Sequence, residues 1–298
     1  MSGTNSLFAP LFRTFFLFMS CKSVQLIWYD NEKERKLAMK TYTLITGASG
    51  GIGLAFAKTF AQHGHNVILV ARNKDKLKEI QEEIEANNAV ETLVYDFDLT
   101  SLDNTQQLYD ELKASSICVD ILVNNAGFGD FGPFLDAEWI RQQNLIELNI
   151  LALTRLTYLF GADMKKRNTG KIINLSSVAA FSAGPDMSLY YASKSFVLSF
   201  SEALSEELKH TGVTVTALCP GPTATGFEQN AGMGKSVMFS LFKPATPESV
   251  ANAGYHAAMK GTPVKYHGFV TYTFNLLARC LPRNIARKFA AKMDRRKA

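Results

Sequence analysis

An α/β architecture is expected of this 298-residue chain: a single doubly wound parallel sheet with helices on both faces, a lid segment and a C-terminal helical tail. Three observations carry that expectation. Short β-branched runs alternate with longer amphipathic stretches from residue 41 to about 270. No linker, repeat or low-complexity tract interrupts the alternation. The first run passes straight into a glycine-rich turn and then a helix, the junction at which such sheets bind nucleotides.

The expected strands are 42–46, 66–71, 91–95, 121–123, 171–175 and 213–218, with a last one near 265–270. Between them lie amphipathic patterns at 52–63, 74–86, 102–114, 138–166 and 193–210, and a further helix at 247–259. Strands separated by helices pair in parallel, because a parallel return needs a crossover of a dozen or more residues. The stretch 223–242 carries neither period and is rich in Gly, Ala, Met and Phe, as expected of a lid or binding loop. The organisation is therefore an N-terminal extension at 1–38, a doubly wound α/β domain at 39–271 and a basic tail at 272–298.

Composition narrows the function classes. With 47% hydrophobic and 20% charged residues the chain is neither disordered nor collagen-like. Its four cysteines are far apart and form no CxxC pair, which fits neither a zinc site nor a disulfide framework and points to a reducing, cytoplasmic setting. The net charge of +5 belongs to the ends: residues 1–40 carry +3, residues 279–298 carry +7, and the body is −5. A mildly acidic body is no nucleic-acid surface. The segment Leu7–Met19 is too short to span a bilayer and is interrupted by Arg13; residues 1–38 read either as an upstream start that the cell does not use or as a peripheral membrane anchor. In the tail, Ile285, Phe289 and Met293 recur at i,i+4 among cations. The favoured reading is a terminal helix packing that stripe on the domain or on a partner subunit, with an anionic membrane surface as the alternative.

The glycine-rich turn is Thr46-Gly47-Ala48-Ser49-Gly50-Gly51-Ile52-Gly53. Gly47, Ser49, Gly51, Ile52 and Gly53 are candidates to cradle a pyrophosphate at the positive end of the helix that follows. A plain tight turn is the bland rival, and the flanking strand and helix weigh against it. The second strand ends in Val70-Ala71-Arg72-Asn73-Lys74, with no carboxylate to take the ribose hydroxyls of NAD. Arg72 offers a planar fork for a 2′-phosphate and Lys74 adds charge, so NADP(H) is expected and NAD(H) is the lesser alternative.

Tyr190-Tyr191-Ala192-Ser193-Lys194 opens a helix, which sets Tyr190 and Lys194 on one face at i,i+4. A phenol titrates near ~10 and a neighbouring ammonium lowers that by ~1–3 units, toward the range of an acid/base catalyst. Tyr191, at i+3 from Lys194, is the rival phenol. Ser177 follows a buried strand at the carboxyl edge, where its hydroxyl can donate to a carbonyl oxygen. The five histidines form no ligand pair, and no metal is expected.

Taken together these motifs, with Asp98, Asn124-Asn125-Ala126-Gly127, Asn149 and Pro220-Gly221 in the order in which they occur, resemble the short-chain dehydrogenase/reductase family over residues 41 to about 270. The resemblance implies a carbonyl reductase or alcohol dehydrogenase with Tyr190 as general acid or base and Ser177 steadying the substrate oxygen. Lys194 would bind the nicotinamide ribose and lower the Tyr190 pKa, and Asn149 would hold a proton-relaying water. It assigns Asp98 to the adenine, Asn124 to the cofactor wall with Asn125, Ala126 and Gly127 beside it, and Pro220, Gly221, Thr223 and Thr225 to the nicotinamide side. The expected substrate is a small, apolar carbonyl or alcohol compound, with Phe128, Phe131, Phe134, Met233, Met238, Phe239 and Phe242 as candidate walls, and a homo-oligomer is the expected assembly. The competing function is a catalytically silent dinucleotide-binding regulator on the same fold; a membrane-attached scaffold rests on the two ends alone.

Overall fold

The computed structural model describes residues 40–233 and 243–294. Strand β1 (Thr41–Thr46) leads through the glycine turn to α1 (Gly51–Gln62), and β2 (Asn66–Ala71), α2 (Lys74–Asn87), β3 (Thr92–Asp96) and α3 (Leu102–Ala114) follow. Then come β4 (Cys118–Asn124), α4 (Trp139–Ile146), α5 (Leu153–Arg167), β5 (Gly170–Leu175), α6 (Ser188–Glu207) and β6 (Val213–Pro220). After it lie α7 (Pro247–Met259), β7 (Val264–His267), α8 (Phe269–Cys280) and α9 (Arg283–Asp294). Among the described residues all strand pairs are parallel and form one seven-stranded sheet in the order β3-β2-β1-β4-β5-β6-β7. The order reverses between β1 and β4, which makes the carboxyl ends of those two strands the crevice for a ligand.

The sheet is buried on both faces. On one, α1, α2 and α7 supply Phe56, Phe60, Ile80, Ile84 and Val250 against Ile45, Leu69 and Val123. On the other, α3, α5 and α6 supply Leu108, Leu112, Phe160, Met164 and the half-buried Leu204 against Leu44, Ile68 and Leu122. The alternation Leu44/Ile45, Ile68/Leu69 and Leu122/Val123 is the period of two that a doubly covered strand requires. Side chains fix several helix starts: Asn73 accepts from Lys76 N at 3.0 Å, Ser101 from Asn104 N at 3.4 Å, and Thr246 from Ser249 N at 3.2 Å with Pro247 in the first turn.

Several expected elements change in detail. The pattern at 138–166 is a helix, but α4 and α5 are joined by a π-helical turn, Glu147–Ala152, which its apolar spacing does not reveal. It is the longest apolar helix described, and Leu145, Leu153, Leu156, Phe160 and Met164 bury one side of it in the protein. Helix α6 begins at Ser188, five residues before the expected 193, after a turn at Asp186 with φ of 63°. Strand β7 ends at His267, since Gly268 turns the chain into α8, so 268–270 is not strand. Within 223–242, Phe227–Asn230 forms one helical turn and Thr223 pairs with Ala245, while 234–242, with Met238, Phe239 and Phe242, lies outside the described residues. The extension at 1–38 likewise lies outside them.

The expected boundary at 271/272 falls inside α8, where Thr271 and Asn275 are buried. In α9 the packed stripe is Ala286 and Ala290, not the expected Ile285, which is exposed; the side chains of Phe289 and Met293 lie outside the described residues. Small side chains win the inward face because they let the helix backbone approach the domain closely.

Candidate active site

The carboxyl ends of β1, β4, β5 and β6 meet around one cavity. At β1, the turn holds α1 with its first N–H groups uncapped by any side chain and no acid in the first turn. A Cβ on Gly53 would overlap the Gly47 carbonyl, so only glycine lets the helix start this close to the turn. Thr46 ties the turn to the loop after β4. Its hydroxyl accepts from Asn125 N and Ala126 N, both at 3.0 Å, and Asn125 Nδ2 donates to Thr46 O at 2.9 Å. Ile52, Asn125 and Gly127 line the cavity, whereas Ala126 packs into the core behind them. Gly51 lies against the side chain of Thr225.

Ser177 and Lys194 lie deeper. Ser177 caps the short helix Val178–Phe181 by accepting from Ala179 N at 3.1 Å, which leaves its O–H free to donate into the cavity it lines. Tyr190 and Lys194 stand on adjacent turns of α6 and line the same cavity, with Lys194 Nζ 5.7 Å from the centre of the Tyr190 ring. Lys194 is buried and donates to Leu175 O at 2.8 Å. Burial lowers its pKa to about 8, so near neutral pH it is still mostly an ammonium. Tyr191 also lines the cavity, but its ring belongs to the apolar cluster of Met187, Ala231, Met233 and Ala290. Pro220, Gly221, Thr223 and Thr225 complete the wall opposite.

Asn149 sits on the π turn, buried, and its amide does not bond to its own helix. Oδ1 accepts from Phe128 N at 3.1 Å, and Nδ2 donates to Phe128 O at 2.9 Å and to Ser193 Oγ at 3.1 Å. Ser193 in turn donates to Tyr190 O at 2.7 Å. A Cβ on Gly127 would lie 2.9 Å from Asn149 Oδ1 and 3.6 Å from Lys194 Nζ, so glycine there is what lets the two groups close on the loop. Ser193 was not among the expected residues; its place inside the Tyr190–Lys194 turn was the available signal.

Other expected residues lie elsewhere. Asn124 is buried on the far face of β4, donating to Thr157 Oγ1 and Asn174 Oδ1 at 2.9 Å each, so it is a core brace and not a cavity wall. The strand's period of two sends it away from the crevice. Arg72 and Asp98 are exposed beyond β2 and β3, at the edge where the adenosine end of a dinucleotide would reach. Asp98 holds its own loop, accepting from Thr100 N at 3.1 Å and Thr100 Oγ1 at 2.9 Å, and Ser101 caps α3. Lys74, expected beside a phosphate, is paired with Asp96 at 3.0 Å, because the register sets Asp96 opposite Ala71. Of the expected aromatic walls, Phe128 lies under the Arg141 guanidinium, Phe131 packs on the apolar cluster and Phe134 is exposed. The apolar wall is instead Met187, Tyr191, Phe227 and Met233, of which Met233 alone was expected. Among the described residues no His, Cys, Asp and Glu group has the geometry of a metal site.

The short chain dehydrogenase family model matches residues 41–236. The chain is 39% identical over 193 residues to the 17-beta-hydroxysteroid dehydrogenase type 3 of Mus musculus, covering 63% of this chain and 62% of that protein. It thus spans about three fifths of that relative's length. It is 32% identical over 258 residues to the very-long-chain 3-oxoacyl-CoA reductase of Anas platyrhynchos, covering 83% and 79%. Among solved structures, a short-chain dehydrogenase from Sphingobium yanoikuyae in complex with NADPH superposes with a TM-score of 0.72 at 31% identity, over 81% of this chain and 94% of that one.

Proposed function

The chain belongs to the short chain dehydrogenase family, and from that premise we propose an NADP(H)-dependent oxidoreductase that interconverts an apolar carbonyl compound and its alcohol. The observation that carries the reading is the convergence of Ser177, Tyr190 and Lys194 on one cavity at the sheet's switch point. The cofactor is NADP(H). Residues suited to hold it are the uncapped start of α1 for the pyrophosphate, Gly47, Ser49, Gly51 and Gly53 at the turn, Asn125 and Gly127 at the wall, and Pro220 to Thr225 at the nicotinamide end. Arg72 would take the 2′-phosphate, with Lys74 spent on Asp96, and Asp98 would face the adenine. When bound, NADPH supplies the hydride.

The protein's part is positioning and proton transfer. Ser177 donates its hydroxyl to the carbonyl oxygen and stabilises the charge that develops there. Tyr190 gives its phenolic proton to that oxygen in reduction and takes it back in oxidation. The Lys194 ammonium, held by Leu175 O, favours the phenolate left behind and has further N–H groups for the ribose. Asn149 braces the Phe128 loop and, through Ser193, the backbone of Tyr190; it would also hold a relaying water, its Oδ1 facing Gly127 beside Lys194. Met187, Tyr191, Phe227 and Met233 suit an apolar substrate, in keeping with the steroid and 3-oxoacyl substrates in the relatives' names. We place the reaction on the cytoplasmic side, in solution or at a membrane surface, carried out by a homo-oligomer.

The test is NADPH oxidation against a panel of ketones, aldehydes and 3-oxoacyl thioesters, with NADH for comparison. Tyr190→Phe is expected to lose at least about a hundredfold in kcat, the lower range of one acid/base group, while binding NADPH as the wild type does. Near-normal turnover by this variant would remove Tyr190 from the chemistry, and inactivity of the wild type on the whole panel would favour a silent dinucleotide-binding regulator.

A further inference from the structure

Helix α8 wears its amphipathicity inside out. Its buried positions include Thr271 and Asn275, 1% and 7% exposed, while Phe269, Tyr272, Leu276 and Leu277 stand 79%, 53%, 53% and 54% exposed. A helix stabilised only by its own domain turns its large apolar side chains inward and leaves polar ones in water. The stripe continues through Leu281 and Ile285, both exposed, into α9, whose outer side carries Arg283, Arg287, Lys288 and Lys292. Large apolar side chains left exposed beside a run of like charges mark a surface that meets something else.

We propose that α8 and α9 form a docking surface for an anionic lipid bilayer, with the apolar stripe in the headgroup–acyl boundary and the cations on the lipid phosphates. Charge selects this occupant: Arg283, Arg287, Lys288 and Lys292 are all exposed on α9, so two copies meeting through this face would oppose their own cations, whereas an anionic surface is complementary. The same helices back the active-site cavity. Thr271 sits against Gly221 in the cavity wall, and Ala290 packs in the cluster of Met187, Tyr191 and Met233. Resting on the reading of the cavity as a site for apolar carbonyl compounds, the bilayer is then one layer of helix away from the place where a lipid-soluble substrate reacts.

The experiment is co-sedimentation of the full chain, near 0.15 M salt, with phosphatidylcholine vesicles alone or containing about one third phosphatidylglycerol. The wild type is expected to partition onto the anionic vesicles. Arg287→Glu/Lys288→Glu/Lys292→Glu is expected to lower that partitioning about tenfold or more, and Leu276→Ser/Leu277→Ser to lower it as well. Equal partitioning by the wild type and both variants overturns the proposal, because another segment is then the anchor. No preference for anionic vesicles overturns it too and leaves an acidic protein as the partner. Ketone reduction in vesicle-free buffer tests the oxidoreductase reading separately: failure there leaves the sedimentation result standing, and loss of vesicle binding leaves the activity standing.

Discussion

At the scale of single residues the decisive group is Lys194. It is buried where an ammonium is costly, and burial brings its pKa from an ordinary 10.5 to about 8. The unfolded chain therefore holds more protons than the folded one between those values. The contribution of this group to stability is complete above the unfolded pKa and is lost as pH falls through the folded one. Between pH 7.5 and 9.5 the cofactor-free protein is expected to gain stability relative to Lys194→Met, which lacks this slope. In the same window kcat/KM for reduction falls, since neutral Lys194 no longer supports the phenolate. Thermal melts and rates at matched pH check both, and parallel melting curves for the two proteins would remove Lys194 as a buried charge.

At the scale of elements, the glycine turn and the π turn do the aiming. Neighbouring glycines in the turn differ sharply. A Cβ on Gly53 meets the Gly47 carbonyl, whereas one on Gly50 meets nothing within 4 Å, and the Gly50 backbone is extended at φ −177°. Gly53→Ala is expected to cost about 1–3 kcal/mol and weaken NADPH binding, in the range of core overpacking. Gly50→Ala is expected to stay within about 0.5 kcal/mol, as for other surface changes. Denaturant melts with and without NADPH measure both. The π turn Glu147–Ala152 adds a residue between two regular helices and so turns Asn149 toward Phe128 and Ser193. Its sequence, ELNILA, reads as ordinary helix because propensity does not distinguish the two hydrogen-bond patterns, whereas the Gly-rich turn was legible because its chemistry is local.

For the whole molecule, the residues proposed to hold the cofactor come from loops that follow five strands, β1, β2, β3, β4 and β6, so its binding would be linked to global stability. Near-saturating NADPH is expected to raise the melting temperature more than equal NADH. Arg72→Ala is expected to erase most of that difference, because the fork that suits a 2′-phosphate is gone. A variant that keeps the full NADPH preference would show that another cation carries it. Lys74 is the neighbouring cation to test next; as the fold stands it pairs with Asp96 and holds that carboxyl below the usual carboxylate range.

The residues alone determined the parallel sheet, the order of its helices and the four strand ends that gather the site, because strand periodicity, turn chemistry and the i,i+4 spacing of Tyr190 and Lys194 are all local. Tertiary packing decided what local patterns leave open. It sent Asn124 into the core, set Asp96 opposite Ala71 and against Lys74, built the apolar cavity wall from Met187 and Phe227, and turned the small side of α9 inward. Each of those choices depends on which strand or helix lies alongside, and neighbours distant along the chain exist only once the sheet has closed on its helices.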